Sequence, residues 1–232
     1  MNQFVYEGHK TYRVRGIGVA AVAVVCLAAL AYLANLALYW AITITGRAAN
    51  GDVDQLDTTI SLENLLPYAG LGVGLAQIVA VVLTMIWLWR ARKNLDAFPD
   101  TQPVLSPGWA IGGWFLPIAN LVVPGRMVAN VARQSVREGW VSAVAVIWWV
   151  ALVLATVADR LAGVVQPSQT DDVVIAVMDN YLTISIILTV SVGAAVIAAV
   201  AFAVAVPRIS GAQEERIHRG WYEEQNRTAV GA

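Results

Sequence analysis

The chain has 232 residues, of which 58% are hydrophobic and only 13% are charged, and its formal net charge is −1. Soluble domains carry about 25% charged residues, so this composition excludes an ordinary water-facing surface and indicates a membrane protein. The balanced charge provides no basic excess, and we expect no nucleic-acid partner. Cys26 is the single cysteine, and His9 and His218 have no second ligand at metal-site spacing, so we expect neither a metal nor another cofactor.

Four charge-free stretches are each long enough to form a membrane-spanning helix, which needs about 20 apolar residues. The predicted spans cover about 16–45, 65–89, 140–158 and 180–206. They make residues 16–207 a four-span, all-α membrane domain between a polar N-tail (1–15) and a polar C-tail (208–232).

The basic residues predict the orientation of these spans. If both tails and the connection between the second and third spans lie in the cytoplasm, 13 of the 15 lysines and arginines lie inside. Only Arg47 and Arg160 then lie outside, in agreement with the positive-inside rule. The two outer connections are instead rich in carboxylates, namely Asp52, Asp54, Asp57 and Glu63 in the first and Asp159, Asp171, Asp172 and Asp179 in the second.

A broken segment at about 106–137 is predicted on the cytoplasmic side, between the second and third spans. Its first part, Pro107–Gly125, carries no charge but contains three prolines and four glycines. A fifth span there would place the basic residues that follow it outside, and Pro117 would leave backbone groups unsatisfied in lipid. We therefore expect an interfacial or shallow re-entrant elbow.

The first part of this elbow is predicted to be a short helix. Ser106 and Pro107 are suited to begin it, and it is expected to end before Pro117. Trp109 and Trp114 are suited to the headgroup region, where an indole buries its ring and keeps its N–H hydrated.

A second helix of the elbow is predicted to begin at about Asn120, or just before Pro124, and to extend to about Arg137. Helical periodicity places two sets of residues on opposite faces. The polar face carries Arg126, Asn130, Arg133 and Arg137, and the apolar face carries Met127, Val128, Val131 and Ala132. A basic amphipathic helix of this kind lies on an anionic membrane surface, so we expect anionic lipid headgroups at Arg126 and Arg133.

The inner end of the second span reads WLWRARKN, from Trp87 to Asn94. One interpretation is an aromatic belt followed by a basic anchor at the membrane surface. The other interpretation uses helical spacing, because Arg90 and Asn94 are one turn apart. In that case both side chains face a cytoplasmic cleft, where they meet the elbow or an anionic headgroup.

Residues Trp87–Ser135 carry a pattern that resembles a known family. The pattern comprises Trp89, Arg90, Asn94, Pro107, Gly108, Trp109, Phe115, Pro117, Asn120 and Pro124. It is similar to that of integral membrane proteins of actinobacterial type that contain domain of unknown function 4328. The resemblance implies a multi-pass protein of the bacterial plasma membrane, and it implies no particular activity.

The function predicted from these features is a non-catalytic one, because no catalytic or phosphate-binding motif occurs at recognisable spacing. We expect a scaffold, assembly or envelope-associated factor that binds lipid headgroups, a membrane protein partner or a second copy of itself. The alternative is an oligomeric small-solute channel or transporter with Pro107–Gly125 as a re-entrant gate, and a lipid-processing enzyme is a third hypothesis. The candidate binding residues are Arg90, Asn94, Trp109, Trp114, Pro117, Asn120, Arg126 and Arg133.

Overall fold

The computed structural model describes residues 5–6, 9–49, 53–166 and 173–230, and most of them are helical. The helices are α1 (Arg15–Ala49), α2 (Val53–Glu63), α3 (Leu66–Leu95), α4 (Trp109–Gly112), α5 (Pro117–Ser135), α6 (Gly139–Ala162) and α7 (Val173–Val230). Two short strands, β1 (Val5–Tyr6) and β2 (His9–Lys10), pair in antiparallel fashion before α1. The predicted outer-connection residues Asp52, Asp171 and Asp172 lie outside the described residues, as do the first four and last two residues of the tails.

Within the described residues, four helical stretches are long and apolar enough to cross a membrane: Arg15–Ala49, Asp54–Leu95, Gly139–Ala162 and Val177–Glu223. This confirms the prediction of a largely helical protein with four helices of membrane-spanning length and composition. Large apolar side chains are exposed along these helices, including Leu30 at 61% and Ile78 at 62%. Continuous exposed apolar surface of this kind is typical of contact with lipid rather than with water.

The helix α7 extends far beyond the predicted fourth span, through Pro207 and up to Val230. The sequence predicts only a polar C-tail for residues 208–232, whereas the structure continues α7 through residues 208–230. The reason is a buried stripe formed by Ile209, Gln213 and Ile217. These residues recur every four positions and therefore lie on one side of the helix, where they pack against the protein.

Residue contacts divide the chain into two compact units. Unit 1 comprises 1–24, 79–150 and 199–232, and unit 2 comprises 25–78 and 151–198. By sequence, unit 1 holds 13 basic and 8 acidic residues, a net charge of +5, whereas unit 2 holds 2 basic and 8 acidic residues, a net charge of −6. The 13 basic residues of unit 1 are the same 13 that the charge pattern assigns to one side of the membrane.

The core of unit 1 is aromatic. The Phe202 ring lies 5.9 Å from Trp87 and 5.2 Å from Trp148, measured between ring centroids. The Trp87 indole N–H donates to Ser210 Oγ at 2.9 Å, so this buried ring has its polar atom satisfied.

In unit 2, hydroxyl groups take part in hydrogen bonds between the apolar helices. Thr43 and Ser185 lie 2.9 Å apart between their oxygens, and Trp40 Nε1 donates to Thr189 Oγ1 at 3.0 Å. Ser191 Oγ donates to the Ala155 carbonyl at 2.9 Å. Such bonds hold membrane helices together where no hydrophobic driving force acts between them.

Candidate functional site

The elbow breaks where the sequence predicts, at Pro117. The short helix α4 ends at Gly112, and Pro117 is the first residue of α5. At this position the lack of an N–H costs no hydrogen bond, because the first N–H groups of a helix have no partner within it. The predicted Ser106 cap is wrong, because α4 begins after Gly108 and no side chain caps it. The second helix also begins earlier than predicted and contains Pro124 within it.

Pro124 is accommodated in α5 by an indole from α6. A proline inside a helix lacks the N–H that would bond one turn earlier and disturbs the carbonyls there. The Leu121 carbonyl, in that turn, accepts a hydrogen bond of 2.9 Å from Trp149 Nε1. Gly125 lies directly under the indole, and a Cβ at this position would collide with the Trp149 ring. The absence of a side chain at Gly125 therefore lets α6 pack onto the α5 backbone beside the proline.

The first turn of α5 and the preceding residues expose apolar side chains, with Phe115 at 73% and Ile118 at 83%. Trp109 is also exposed, whereas Trp114 is half-buried and packs edge-on against Trp149 at 5.6 Å between centroids. This surface is compatible with an interfacial or re-entrant elbow, and the depth of the elbow in the bilayer stays a prediction.

Two polar atoms of the elbow are buried without a hydrogen-bond partner among the described residues. They are the Trp114 Nε1 donor and the side-chain Oδ1 acceptor of Asn120. An unsatisfied buried polar group lowers the stability of the folded state by about 1–3 kcal/mol. A hydrogen bond from each atom to a small polar partner such as water would remove this cost.

The helix α5 is amphipathic, as predicted. Its apolar face, Met127, Val128, Val131 and Ala132, is buried, whereas Arg126 and Arg133 are exposed. Arg137, which was expected on the polar face, lies two residues beyond the end of α5 and is also exposed. The prediction is wrong for Asn130, which is buried because the preceding loop covers it. The Val104 N–H donates to Asn130 Oδ1 at 3.3 Å.

The exposed arginines Arg126, Arg133 and Arg137 form what we term the arginine row. Within the described part of the chain, none of the three has a salt bridge or a side-chain hydrogen bond. Their guanidinium groups therefore have their donors available to an external anion.

A cavity of about 360 Å³ lies where α5 meets α6, and we term it the α5–α6 cavity. Its lining consists of Val104, Leu121, Val122, Gly125, Arg126, Ala129, Arg133, Val146 and Trp149. It combines two members of the arginine row with an apolar wall, and none of the described residues that line it is acidic.

The structure does not bring Arg90 and Asn94 to a common cleft. Asn94 is fully buried, and its amide accepts from the Tyr12 N–H at 2.7 Å and donates to the Tyr12 carbonyl at 2.9 Å. Arg90 remains partly exposed and donates to the Arg13 carbonyl at 3.3 Å. Both residues thus hold the segment that precedes α1.

Gln213 completes this polar cluster, although the sequence pattern predicts that it lies in a polar C-tail. Its Oε1 accepts from Asn94 Nδ2 at 3.0 Å, and its Nε2 donates to the Ala91 carbonyl and to Ser135 Oγ at 3.0 and 2.8 Å. One buried amide therefore joins α3, α5 and α7. The four-residue spacing of Ile209, Gln213 and Ile217 was the signal that could have revealed it.

The adjacent Glu214 caps α1. Its Oε1 accepts from the Val14 and Arg15 N–H groups at 3.2 and 2.9 Å. A carboxylate at a helix N-terminus satisfies free N–H groups and interacts favourably with the helix dipole.

The loop after α3 is held by the buried Arg92. Its Nε donates to the Leu105 carbonyl at 2.5 Å, and its Nη1 donates to Asp96 Oδ1 at 2.6 Å. Partial burial tends to raise the pKa of Asp96, but the hydrogen bonds from Arg92 and Lys93 outweigh it and hold this pKa below its usual value.

A second, larger cavity of about 760 Å³ lies in unit 1 and has mixed charge. Arg133 and Arg137 line it together with Arg216, which forms a salt bridge with Asp100. In this salt bridge Arg216 donates a hydrogen bond to the Asp100 carboxylate, and this bond lowers the pKa of Asp100 below its usual value. In the described part of the chain, no group of three or more histidines, cysteines or carboxylates is placed to hold a metal ion.

A family model described as Domain of unknown function (DUF4328) matches residues 51–211, which are 161 of the 232 residues. The chain belongs to the DUF4328 family. The DUF4328 match includes the whole elbow and the α5–α6 cavity, whereas Gln213 and Glu214 lie beyond its end. No match to the chain was found among curated proteins or among solved structures.

Proposed function

We propose that this DUF4328 protein is a non-catalytic multi-pass protein of the bacterial plasma membrane that binds anionic lipid headgroups on its cytoplasmic face. In this role it acts as a scaffold or assembly factor that is held at the membrane by anionic lipids. The observation that supports the proposal is the arginine row: Arg126 and Arg133 on one face of α5 and Arg137 just after its end are exposed and have no salt bridge or side-chain hydrogen bond within the described residues.

The geometry of the row suits a membrane surface. At 100° and 1.5 Å per residue, Arg126 and Arg133 lie within about 20° of each other around the α5 axis and about 10 Å apart along it. Arg137 follows two residues after the end of the helix. A planar guanidinium binds a phosphate group through two parallel hydrogen bonds. Each basic residue near an anionic leaflet contributes about 1 kcal/mol, and salt screens this attraction.

The orientation is supported by charge. Unit 1, which contains the elbow and the polar cluster, has a net charge of +5, and unit 2 has a net charge of −6. Basic residues accumulate on the cytoplasmic side of membrane proteins. We therefore propose that both termini and the elbow face the cytoplasm.

Lipid-dependent stability tests this function. The protein is purified in a mild neutral detergent, and its thermal unfolding is followed with added phosphatidylglycerol or phosphatidylcholine. Because a ligand that binds only the native state stabilises it, we expect phosphatidylglycerol to raise the unfolding temperature more than phosphatidylcholine does. High salt is expected to reduce the difference.

Two variants make the test specific. Substitution of Arg126, Arg133 and Arg137 by Gln should abolish the preference for phosphatidylglycerol. Arg160→Gln removes an exposed arginine elsewhere and should retain the preference. Equal stabilisation of the unmodified protein by both lipids would contradict the proposal.

A further inference from the structure

Building on the proposed function, we propose that the α5–α6 cavity is a binding site for one phospholipid molecule. Its phosphate group lies between Arg126 and Arg133, and the upper part of one acyl chain lies on Trp149, Val146 and Leu121. The site thus takes an individual anionic lipid in addition to the general attraction of the arginine row for the leaflet.

The polar end of the cavity is suited to a phosphate group. Arg126 and Arg133 are seven residues apart, which places them on the same face of α5 with a separation of about 10 Å along the axis. Arginine side chains that extend toward each other from these positions can both donate to one phosphate. The larger cavity, which Arg133 also lines, differs because its lining includes carboxylates, among them Asp100, which is already paired with Arg216.

The other end of the cavity is apolar. Trp149 uses its only donor on the Leu121 carbonyl, so the indole presents hydrocarbon to the cavity. The side chains of Leu121, Val122 and Val146 remain exposed. A soluble phosphate would leave this wall in contact with water, whereas an acyl chain covers it, and this difference favours a lipid.

The size of the cavity limits what it can hold. A volume of about 360 Å³ lies near the lower end of the range for small-molecule pockets, roughly 300–1,000 Å³. It therefore accommodates a phosphate and part of one chain, while the remainder of the lipid extends into the bilayer. Gly125 and Ala129, one helical turn apart, provide a floor without large side chains.

Native mass spectrometry of the full-length protein in mild detergent tests the site directly. We expect one phosphatidylglycerol molecule per chain to be retained at lipid concentrations where phosphatidylcholine is lost. The Val146→Trp substitution fills the apolar end and should lower retention at least tenfold. The matched control is Val150→Trp, one turn further along α6 and outside the lining, which should change retention less than twofold. Helical content by circular dichroism verifies that both variants fold.

Competition separates a lipid from a free anion. Glycerol 3-phosphate supplies the phosphate without a chain, and we expect it not to displace the lipid at concentrations where phosphatidylglycerol does. Displacement by glycerol 3-phosphate, or equal retention in the folded Val146→Trp and Val150→Trp variants, would overturn the inference.

The two experiments together distinguish the absence of a lipid site in the cavity from the absence of any preference for anionic lipid. If no single lipid is retained but phosphatidylglycerol still raises the unfolding temperature through the arginine row, the cavity inference is wrong and the proposed function stands. If phosphatidylglycerol and phosphatidylcholine behave alike in both experiments, both are wrong.

Discussion

The side-chain amide of Asn94 forms two hydrogen bonds to the backbone of a single residue, Tyr12, by accepting from its N–H and donating to its carbonyl. This is the pairing that a neighbouring strand would provide, here supplied by one side chain of α3. Because Asn94 is fully buried and also donates to Gln213, the segment before α1 is fixed to the polar cluster of unit 1.

The first prediction concerns this contact. Asn94→Ala leaves the Tyr12 backbone and Gln213 without partners in a buried environment, where each unsatisfied group costs about 1–3 kcal/mol. We expect a loss of stability of about 3 kcal/mol by thermal unfolding and faster proteolysis before α1. The partly exposed Arg90→Ala, which removes one longer bond to the same segment, should cost less than about 1 kcal/mol. Equal losses in the two variants would contradict the role of Asn94.

The second prediction compares two indoles that pack against each other. Trp149→Phe removes the donor to the Leu121 carbonyl beside Pro124, whereas Trp114→Phe removes a buried donor that has no partner among the described residues. We expect Trp149→Phe to be less stable than Trp114→Phe by about 0.5–1.5 kcal/mol, because only the former loses a hydrogen bond. The measurement is thermal unfolding of both variants under the same conditions. A Trp114→Phe variant as unstable as Trp149→Phe would show that ring volume, not the hydrogen bond, decides the effect.

The third prediction uses two glycines with different surroundings. A Cβ at Gly125 collides with the Trp149 ring, whereas a Cβ at Gly70 has nothing within 4 Å. Gly125→Ala is therefore expected to destabilise by about 1–3 kcal/mol through overpacking. Gly70→Ala should stabilise by about 0.5–1 kcal/mol, because alanine loses less backbone freedom in a helix. Unfolding temperatures that move in the same direction for both variants would disprove the close approach at Gly125.

The fourth prediction concerns the pH dependence of the Arg92–Asp96 pair. The folded-state pKa of Asp96 is lowered, so the stability that its charge provides is present above the unfolded-state pKa and is lost as pH falls through the folded-state value. Asp96 has a side-chain exposure of 36%, and screening limits its contribution to about 1 kcal/mol. Asp96→Asn should therefore destabilise at pH 7, and its difference from the unmodified protein should shrink toward pH 3. A difference between the two proteins that stays constant from pH 7 to pH 3 would contradict this role of the Asp96 charge.

The sequence was sufficient to predict the four long helices, the break at Pro117 and the buried face of α5. These features depend on local properties, namely continuous hydrophobicity, the missing N–H of proline and helical periodicity. Local patterns do not report contacts with more distant segments, and the error at Asn130 has this cause. Asn130 has the spacing of an exposed residue, but the loop at Val104 covers it.

The polar cluster of unit 1 could not be predicted in the same way. Asn94 and Gln213 are 119 residues apart, and nothing in either local segment indicates the other. Gln213 also follows Pro207 in a charged stretch, and this pattern is typical of a polar tail. Long-range pairing of buried amides is set by tertiary packing, which periodicity alone does not reveal.

The capping of α1 by Glu214 has a consequence for biosynthesis. The acceptor of the Val14 and Arg15 N–H groups follows them 200 and 199 residues later in the chain. Chains are synthesised from the N-terminus, so the start of α1 has no cap until the segment that contains Glu214 has been made. A chain that ends before Glu214 would leave the Val14 and Arg15 N–H groups without this acceptor. We expect proteases to cleave such a chain near the start of α1 more readily than the full chain.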